Sequence, residues 1–469
     1  MDEAPPLPGS LPPSRAGKLR STCLSFPETL SQSVAAISPT FTAAANAAVV
    51  YSFAGNGTWI TYLLACCGLL CVSFHIRYFA RRTASPGSLY TYVAQTLGPD
   101  TGFVAGWCSV IAYLLTAMSV LIIAVDYLRH FKPLLAPPTL LILAASVLAV
   151  WYVAYRDIRF SARLMLSAEA FSVLLTLLIG ALVCLRHGIF LDPAQFTLQG
   201  ATPDGIKIGL IMAIFSFVGF ESSTTLGTED RDPLRNIPRS ISWSVLGSGL
   251  FFIVISYVSI LSFHTIGADL SRSDTPIITL TAYLGHPALG LLFSIGVIIS
   301  AFACAIACIN AGSRILFTLG RHGILPPRIA QTHRVNATPH HAITLSAILI
   351  LLVPAGCILA HIPLIDIYGY LGTLATYGFL TVYAMIAVAA PLSLRQRGQL
   401  RLRHLLHSAL SLLFLSLPIV GNLSSHPEPP FDQFPLWFLS ALAVSLVGYA
   451  CLRMKYRDEI SERIEDDAD

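Results

Sequence analysis

Twelve apolar stretches, each long enough to cross a lipid bilayer, run through the chain at 28–53, 57–80, 100–128, 134–155, 161–186, 206–228, 239–264, 287–319, 340–360, 364–390, 403–424 and 434–453. A helical span needs about 20 mainly apolar residues to match the hydrocarbon thickness. Composition agrees with that count. Of 469 residues, 55% are hydrophobic and 12% charged, and the mean hydropathy is +0.69, whereas a soluble chain is about a quarter charged. So little charge cannot cover the water-facing surface of a body this size. This excludes a soluble enzyme, a nucleic-acid binder and a disulfide scaffold. The predicted fold class is an all-α polytopic membrane protein with 12 transmembrane helices.

The basic residues predict orientation. Of the 29 lysines and arginines, 24 fall in the N-terminal segment, the C-terminal segment and alternate segments at the span ends and loops, including Arg314, Arg321, Arg328 and Arg334 from the end of span 8 to the start of span 9. Five fall on the other side: Arg129, Lys132, Arg186, Lys207 and Arg272. Lys and Arg accumulate in cytoplasmic loops, so both termini are expected in the cytoplasm of a multi-pass plasma-membrane protein. A miscounted span would invert every later loop and blur the ratio. No basic residue is placed at mid-membrane.

Residues 1–27 read as a cytoplasmic tail rather than a signal peptide, because the apolar run continues past Ala45-Asn46-Ala47 to Phe53. The ten cysteines mostly sit in apolar runs and form no Cys-x-x-Cys pair, so they read as packing residues without a metal or redox site. Cys23, just ahead of the first span, is a candidate for acylation. His75, His264 and His361 lie near span ends without ligand spacing, so no metal is expected. The acidic segment Asp458 to Asp469 is expected to be disordered.

Two spans, five apart, carry irregular chemistry. Span 1 holds Ile37-Ser38-Pro39-Thr40 at its middle, where the proline removes a backbone donor and clashes with the preceding turn. Span 6 holds Ser216-Phe217-Val218-Gly219-Phe220-Glu221, with Gly219 loosening the helix at a similar depth. Such interruptions also occur as ordinary irregularities of membrane helices. Paired at corresponding positions of two halves, they point to a transporter's binding site.

Two longer stretches carry a family resemblance. Arg81-Arg82-Thr83-Ala84-Ser85-Pro86-Gly87-Ser88-Leu89-Tyr90-Thr91-Tyr92-Val93, continuing through Leu97-Gly98-Pro99 and Gly102-Phe103-Val104-Ala105-Gly106-Trp107, follows span 2. Phe215-Ser216-Phe217-Val218-Gly219-Phe220-Glu221-Ser222, then Thr228-Glu229-Asp230 and Pro233-Leu234-Arg235-Asn236-Ile237-Pro238-Arg239, marks span 6. Together they resemble the amino acid–polyamine–organocation (APC) superfamily, of bacterial amino acid permease type, over roughly residues 28–453. The resemblance implies a leucine-transporter-like fold: a 5+5 inverted repeat plus two extra helices. The implied organisation is a tail at 1–27, a first repeat at 28–186, a second at 203–391, spans 11 and 12 at 402–454, and an acidic cytoplasmic tail at 455–469. Some proton-coupled members carry a lysine in span 5. Here Ser172 stands by rough alignment in its place, so the lysine-based coupling does not carry over and H+ or Na+ stays open.

The expected site follows from the substrate's two charges. A half-helix N-terminus favours a carboxylate, while freed carbonyls and helix C-termini favour an ammonium or sodium ion. Residues 38–42 would cradle the carboxylate, with Pro39 at the break and hydroxyls of Ser38, Thr40 and Thr42 adding donors. Backbone carbonyls of Phe215, Ser216, Phe217, Val218 and Gly219 would accept from the ammonium. Phe215 and Phe217 would cover the substrate as a gate, the resemblance placing an aromatic near Phe215, or serve only as packing. Buried acids in spans face a cavity or a partner. Glu221 reads either as a proton carrier or as a brace for the broken backbone, and Glu169 as a coupling candidate or a helix–helix contact. Glu229 with Arg81 or Arg82 would form an inner gate, the alternative being a solvated loop.

The function expected is secondary active transport of an amino acid or related amine, neutral amino acids favoured, by alternating access and without a bound cofactor. The partners are the small-molecule substrate and the lipid bilayer, with no nucleic acid. An amino acid/polyamine exchanger is the alternative within transport; a transporter-fold channel or a substrate sensor is the alternative outside it. A membrane enzyme is disfavoured, since no His/Asp/Glu cluster or nucleophile motif stands out. The major-facilitator class shares twelve spans, but the breaks five spans apart and the short loop after span 6 argue against it. The orientation is testable with a reporter active only in the cytosol. Fused after Gly398 it is expected to be active, and after Gly267 inactive; the reverse pattern refutes the orientation.

Overall fold

The computed structural model describes residues 17–130, 138–188, 191–273, 276–283, 285, 287–424 and 430–466. Arg15 of the tail, Lys132 of the loop at 131–137 and the last three residues lie outside them. Among the described residues the chain is helical, with no strand beyond a single parallel bridge between Leu24 and Asp230.

The first apolar run divides in two: α1 (Phe26–Ile37) and α2 (Pro39–Ala54). A 3-10 turn leads into α3 (Thr58–Ala80), followed by the short α4 (Leu89–Leu97) and the long α5 (Pro99–His130). The helices α6 (Thr139–Tyr155) and α7 (Ile158–His187) come next, then the single turn α8 (Pro193–Phe196) and α9 (Pro203–Phe215). Beyond them lie α10 (Pro233–Ile266), α11 (Pro276–Tyr283), α12 (Pro287–Arg321), α13 (His340–Leu359) and α14 (Leu364–Gln396). The last two are α15 (Leu402–Ser424) and α16 (Phe434–Asp466). The helix α16 runs through most of the acidic segment, so the expectation of disorder from Asp458 onward is corrected as far as Asp466. The amphipathic α4 was not anticipated; its buried face includes Tyr90, Tyr92 and Val93.

Among the described residues, eight helical stretches are long and apolar enough to cross a membrane, the first of them Phe26–Ala80. Their outward faces carry exposed leucines, among them Leu174, Leu178 and Leu185 on α7 and Leu352 and Leu359 on α13. Large apolar surface of this extent needs a non-aqueous partner, and the chain is a multi-pass membrane protein. Burial sorts the helices: 89% of the most apolar window of α5 is enclosed, against 17% for α16. α5 is the central post, packed along α12 and α14, while α1 lies against α7, α10 and α12. All ten cysteines are free. Cys23 is buried beside the bridge at Leu24, which removes it as an acylation candidate in this conformation.

On the face opposite the N-terminal segment, α8 is tied to α10. Asp192 caps it by accepting from the Ala194 N–H, and also accepts from Gln195 Nε2 at 3.0 Å and His264 Nδ1 at 2.8 Å. Burial alone would raise the Asp192 carboxyl; the donors from Gln195, His264 and Ala194 outweigh it and hold it below the ordinary value of 3.8. A carboxyl lowered by folding stabilises above its unfolded value, and that contribution disappears as pH falls through the folded one. Asp192→Asn is therefore expected to lower the melting temperature at pH 7. The gap to wild type should close as pH is taken well below 3.8; a gap independent of pH contradicts the assignment.

Candidate functional site

The break in the first apolar run sits where Ser38-Pro39 predicted it. Ser38 ends α1 in the left-handed region, φ 51°, with its N–H donating to Val34 O. Pro39 opens α2 at the position where its missing N–H costs nothing. A left-handed serine is strained by roughly 1–3 kcal/mol and persists only when its surroundings over-determine it. Here they do. Ser38 Oγ lies 2.8 Å from Ser300 Oγ on α12, and Ser300 Oγ lies 2.9 and 3.2 Å from the two carboxylate oxygens of Glu169 on α7. The carbonyls freed at the end of α1 find donors in Thr42 Oγ1, at 2.8 Å from Ile37 O, and Cys304 Sγ, at 3.2 Å from Ala36 O.

Of the expected donors in residues 38–42, Ser38 and Thr42 are thus already engaged, while Thr40 is met by Thr176 as an acceptor. Thr42 gives its proton to Ile37 O, Ser38 pairs with Ser300, and Thr176 Oγ1 stands 3.4 Å from Thr40 Oγ1. Ser172 donates to Glu169 O and carries Thr176 one turn further along α7.

The second break begins where α9 ends at Phe215. Turns occupy Ser216–Glu221, a 3-10 segment covers Ser222–Leu226, and α10 starts only at Pro233. The second half of this apolar run is therefore not an α-helix, although a span over 206–228 was expected. Gly219 has φ 89°, and a Cβ there would stand 2.9 Å from Ala36 Cβ. Both the conformation and the close approach need glycine. The two broken segments thus touch, Gly219 on the end of α1. Ser222 Oγ donates to Gln32 O and Ser33 Oγ accepts from Ser223 N, extending that contact.

Glu221 closes the second break from behind. Tyr113 of α5 donates to one carboxylate oxygen at 2.7 Å, and Tyr383 of α14 to the other at 2.5 Å. Tyr383 also accepts the Gly219 N–H at 3.4 Å. The brace was weighed from sequence; its two tyrosine partners, more than 100 residues away, were not. Asn46 on α2 donates to Ser216 Oγ and accepts from Tyr368, a second polar link across the breaks. An asparagine inside an apolar run was the signal available for it.

The two phenylalanines part company. Phe217 is fully buried and meets Phe252 of α10 edge-on at 5.1 Å, so it is core packing between helices and not a cover. Phe215 stays half-buried at the break, its ring against Gly372 of α14. Val218 is buried in the same turn.

The proposed gate between Glu229 and Arg81 or Arg82 is not the one formed. Arg82 folds back over the Tyr78 ring at 4.0 Å and donates to Tyr78 O. Glu229 instead receives both arms of Arg314, at 2.7 and 2.8 Å, with both side chains fully buried. Arg314 was counted with the cytoplasmic segment that follows span 8; it sits in α12, seven residues before its end at Arg321, or about 10 Å inside at 1.5 Å per residue. The bidentate fork fits a carboxylate, and desolvation makes the partners interdependent. A lone arginine within an apolar run was the missed signal.

The N-terminal segment seals this face. Cys23 and Leu24 donate their N–H groups to Glu229 O, and Thr22 donates to Thr228 O. Arg20 pairs with Asp157 at 2.7 Å, and Arg163 with Glu28 at 2.9 Å. The loop after α3 braces the same place. Ser88 bonds to Thr224, and a Cβ on Gly227 would lie 2.5 Å from Ser85 N. The two signature stretches therefore meet in space. Among the described residues no group of His, Cys, Asp or Glu is placed to hold a metal.

A multi-pass helical protein with two broken segments in contact, sealed on one face by a buried ion pair, has the build of a membrane transporter. The sequence pattern of the amino acid permease family matches residues 29–421, and the chain belongs to that family. It is therefore a transporter and not an enzyme. It is 24% identical to the branched-chain amino acid permease BcaP of Bacillus subtilis (strain 168), over 72% of this chain and 73% of that protein. It is 22% identical to the D-serine/D-alanine/glycine transporter of Escherichia coli O6:H1, over 75% and 78%. The low-affinity putrescine importer PlaP of Escherichia coli K12 is 27% identical over 56% of this chain and 59% of its own length. In fold, the chain resembles a Na+-coupled sialic acid symporter in its substrate-bound outward-open state, with TM-score 0.55, 13% identity, and 84% and 89% of the two chains covered.

Breaking the buried pair tests its role in stability. Arg314→Met leaves a desolvated carboxylate and is expected to cost about 3–5 kcal/mol, read as a fall in melting temperature. The double variant E229L/R314M should recover most of that loss, because both charges leave together. A single variant as stable as wild type contradicts a structural role for the pair.

Proposed function

We propose that the protein is a secondary active transporter of a neutral amino acid, working by alternating access in the plasma membrane with both termini cytoplasmic. The twelve spans are α1–α2, α3, α5, α6, α7, α9 with its 3-10 extension, α10, α12, α13, α14, α15 and α16, the first ten forming two inverted five-span repeats. The observation that carries this reading is the contact of the two breaks at Ala36 and Gly219. The N-terminus of α2 offers free backbone N–H groups and a positive dipole end to a carboxylate, and the C-terminal carbonyls of α9 offer the opposite to an ammonium. With the hydroxyls of Ser38 and Thr42 engaged, the backbone recognises both charges. Phe215 is left to cover them.

Neutral substrates are favoured because both nearby acids are committed, Glu221 to two tyrosines and Glu169 to Ser300. The relatives named for branched-chain and small amino acids support this choice. The relative named as a putrescine importer supports testing a diamine beside them.

Coupling is assigned to protons carried on Glu169. One hydroxyl, Ser300, serves both of its oxygens, so the carboxylate can take a proton without losing a cation partner. The relay then reverses. With Glu169 ionised, Ser38 donates to Ser300 and Ser300 to Glu169. With it protonated, Glu169 donates to Ser300 and Ser300 to Ser38. Protonation is thereby felt at the strained residue that ends α1.

In vesicles, Glu169→Gln is expected to lose proton-gradient-driven uptake by about tenfold or more, as for a removed proton relay, while counterflow between amino acid pools persists. Wild-type-like accumulation in the variant, or accumulation driven by sodium alone, overturns the coupling assignment. Absence of saturable counterflow for every neutral amino acid overturns the substrate assignment, and counterflow of putrescine alone selects the diamine.

A further inference from the structure

Away from the broken helices, a cavity of about 510 Å³ opens at the membrane face that also carries the N-terminal segment. It lies between the end of α3 and the turn joining α14 to α15. Gly398, in the left-handed region at φ 66°, ends α14 and folds the chain back so that this turn faces α3. Arg77, Arg81 and Arg82 line the cavity from one side, and Arg401, Arg403 and His404 from the other. No carboxylate is among the described residues that line it.

Several arginines elsewhere on this face are paired with carboxylates. Arg20 is neutralised by Asp157, Arg163 by Glu28 and Arg314 by Glu229. Arg82 is held by the Tyr78 ring and carbonyl, which fixes its position without cancelling its charge. Arg77 Nε is buried and has no hydrogen-bond partner, a donor still lacking an acceptor. Orientation in the membrane needs basic residues on one side; it does not need five guanidinium groups converging on one hollow. Their mutual repulsion is relieved by a bound anion, and the planar fork of arginine suits phosphate oxygens.

The surroundings narrow the source of that anion. Leu402 is 72% exposed, Leu406 61% and Phe74 41%, so apolar surface borders the arginines. A free phosphate uses the arginines alone, whereas a phospholipid uses both the charge and the apolar rim. Basic pockets between membrane helices hold anionic lipid headgroups in this way. We propose that the hollow between the end of α3 and the α14–α15 turn is a binding site for a phosphate group, carried on an anionic phospholipid headgroup whose acyl chains lie along Phe74 and the α15 leucines. The site is separate from the substrate breaks, so its test does not depend on transport.

The full-length protein in detergent, supplied with phosphatidylglycerol or phosphatidylcholine and observed by native mass spectrometry, is expected to retain phosphatidylglycerol about tenfold better. The variant R401Q/R403Q should lose that preference, while R395Q/R397Q, which removes two exposed charges of the same turn outside the hollow, should keep it. Inorganic phosphate forms a separate arm, read by thermal stabilisation. Stabilisation by phosphate that R401Q/R403Q abolishes, with no discrimination between the two lipids, keeps the phosphate site and assigns it to a soluble anion. Equal retention of both lipids with no phosphate response, or a preference that survives R401Q/R403Q, overturns the proposal. The wild-type comparison of lipids decides even if the variant is poorly folded.

Discussion

The constraint on which this structure depends is that a helix broken inside a membrane must find partners for every backbone group it frees. Hydrocarbon supplies none, and each orphan costs several kcal/mol there. At Ser38 and Gly219 the protein supplies them from elsewhere in the chain. Thr42 and Cys304 cover the end of α1, Tyr383 covers the Gly219 N–H, and Asn46 and Tyr368 hold Ser216 in place. The helices that surround the breaks are therefore placed by what the breaks need. α5, α12 and α14 stand closest because they carry Tyr113, Ser300, Cys304, Tyr368 and Tyr383.

A second consequence is that the packing around the Thr228–Asp230 connection is electrostatic and jointly made. The Arg314–Glu229 pair is desolvated, and a buried pair adds little net stability over an apolar replacement, although losing one partner is costly. The N-terminal segment adds backbone bonds to Glu229 O and an ion pair to Asp157. The loop after α3 packs Ser85 and Ser88 on the same turn. Three distant segments thus bear on one short connection.

How much was legible varied with the physics of each signal. Apolar runs and Pro39 act locally: they state a span or a break without reference to other residues, and the boundary between α1 and α2 falls where the sequence says it should. Gly219 was legible as a weak point, but not as the contact with Ala36, which depends on where α1 lies. The Glu229 partner was misassigned because arginines near span ends read alike along a chain. Arg81 and Arg82 differ from Arg314 only in burial, and burial is a tertiary quantity. The sequence left Phe217 open between cover and packing for the same reason, since an aromatic beside a break points inward or outward according to the neighbouring helix.

The sequence by itself determined the solvent, the helical class, the two weak points and the family to which the signature stretches belong. Each of these follows from composition or from short-range backbone chemistry. Tertiary structure alone decided the partners: Tyr113 and Tyr383 for Glu221, Ser300 for Glu169, Arg314 for Glu229, and the gathering of five arginines around one hollow. These pairings join residues scores to hundreds of positions apart. Their energies come from desolvation and geometry that exist only once the helices are packed.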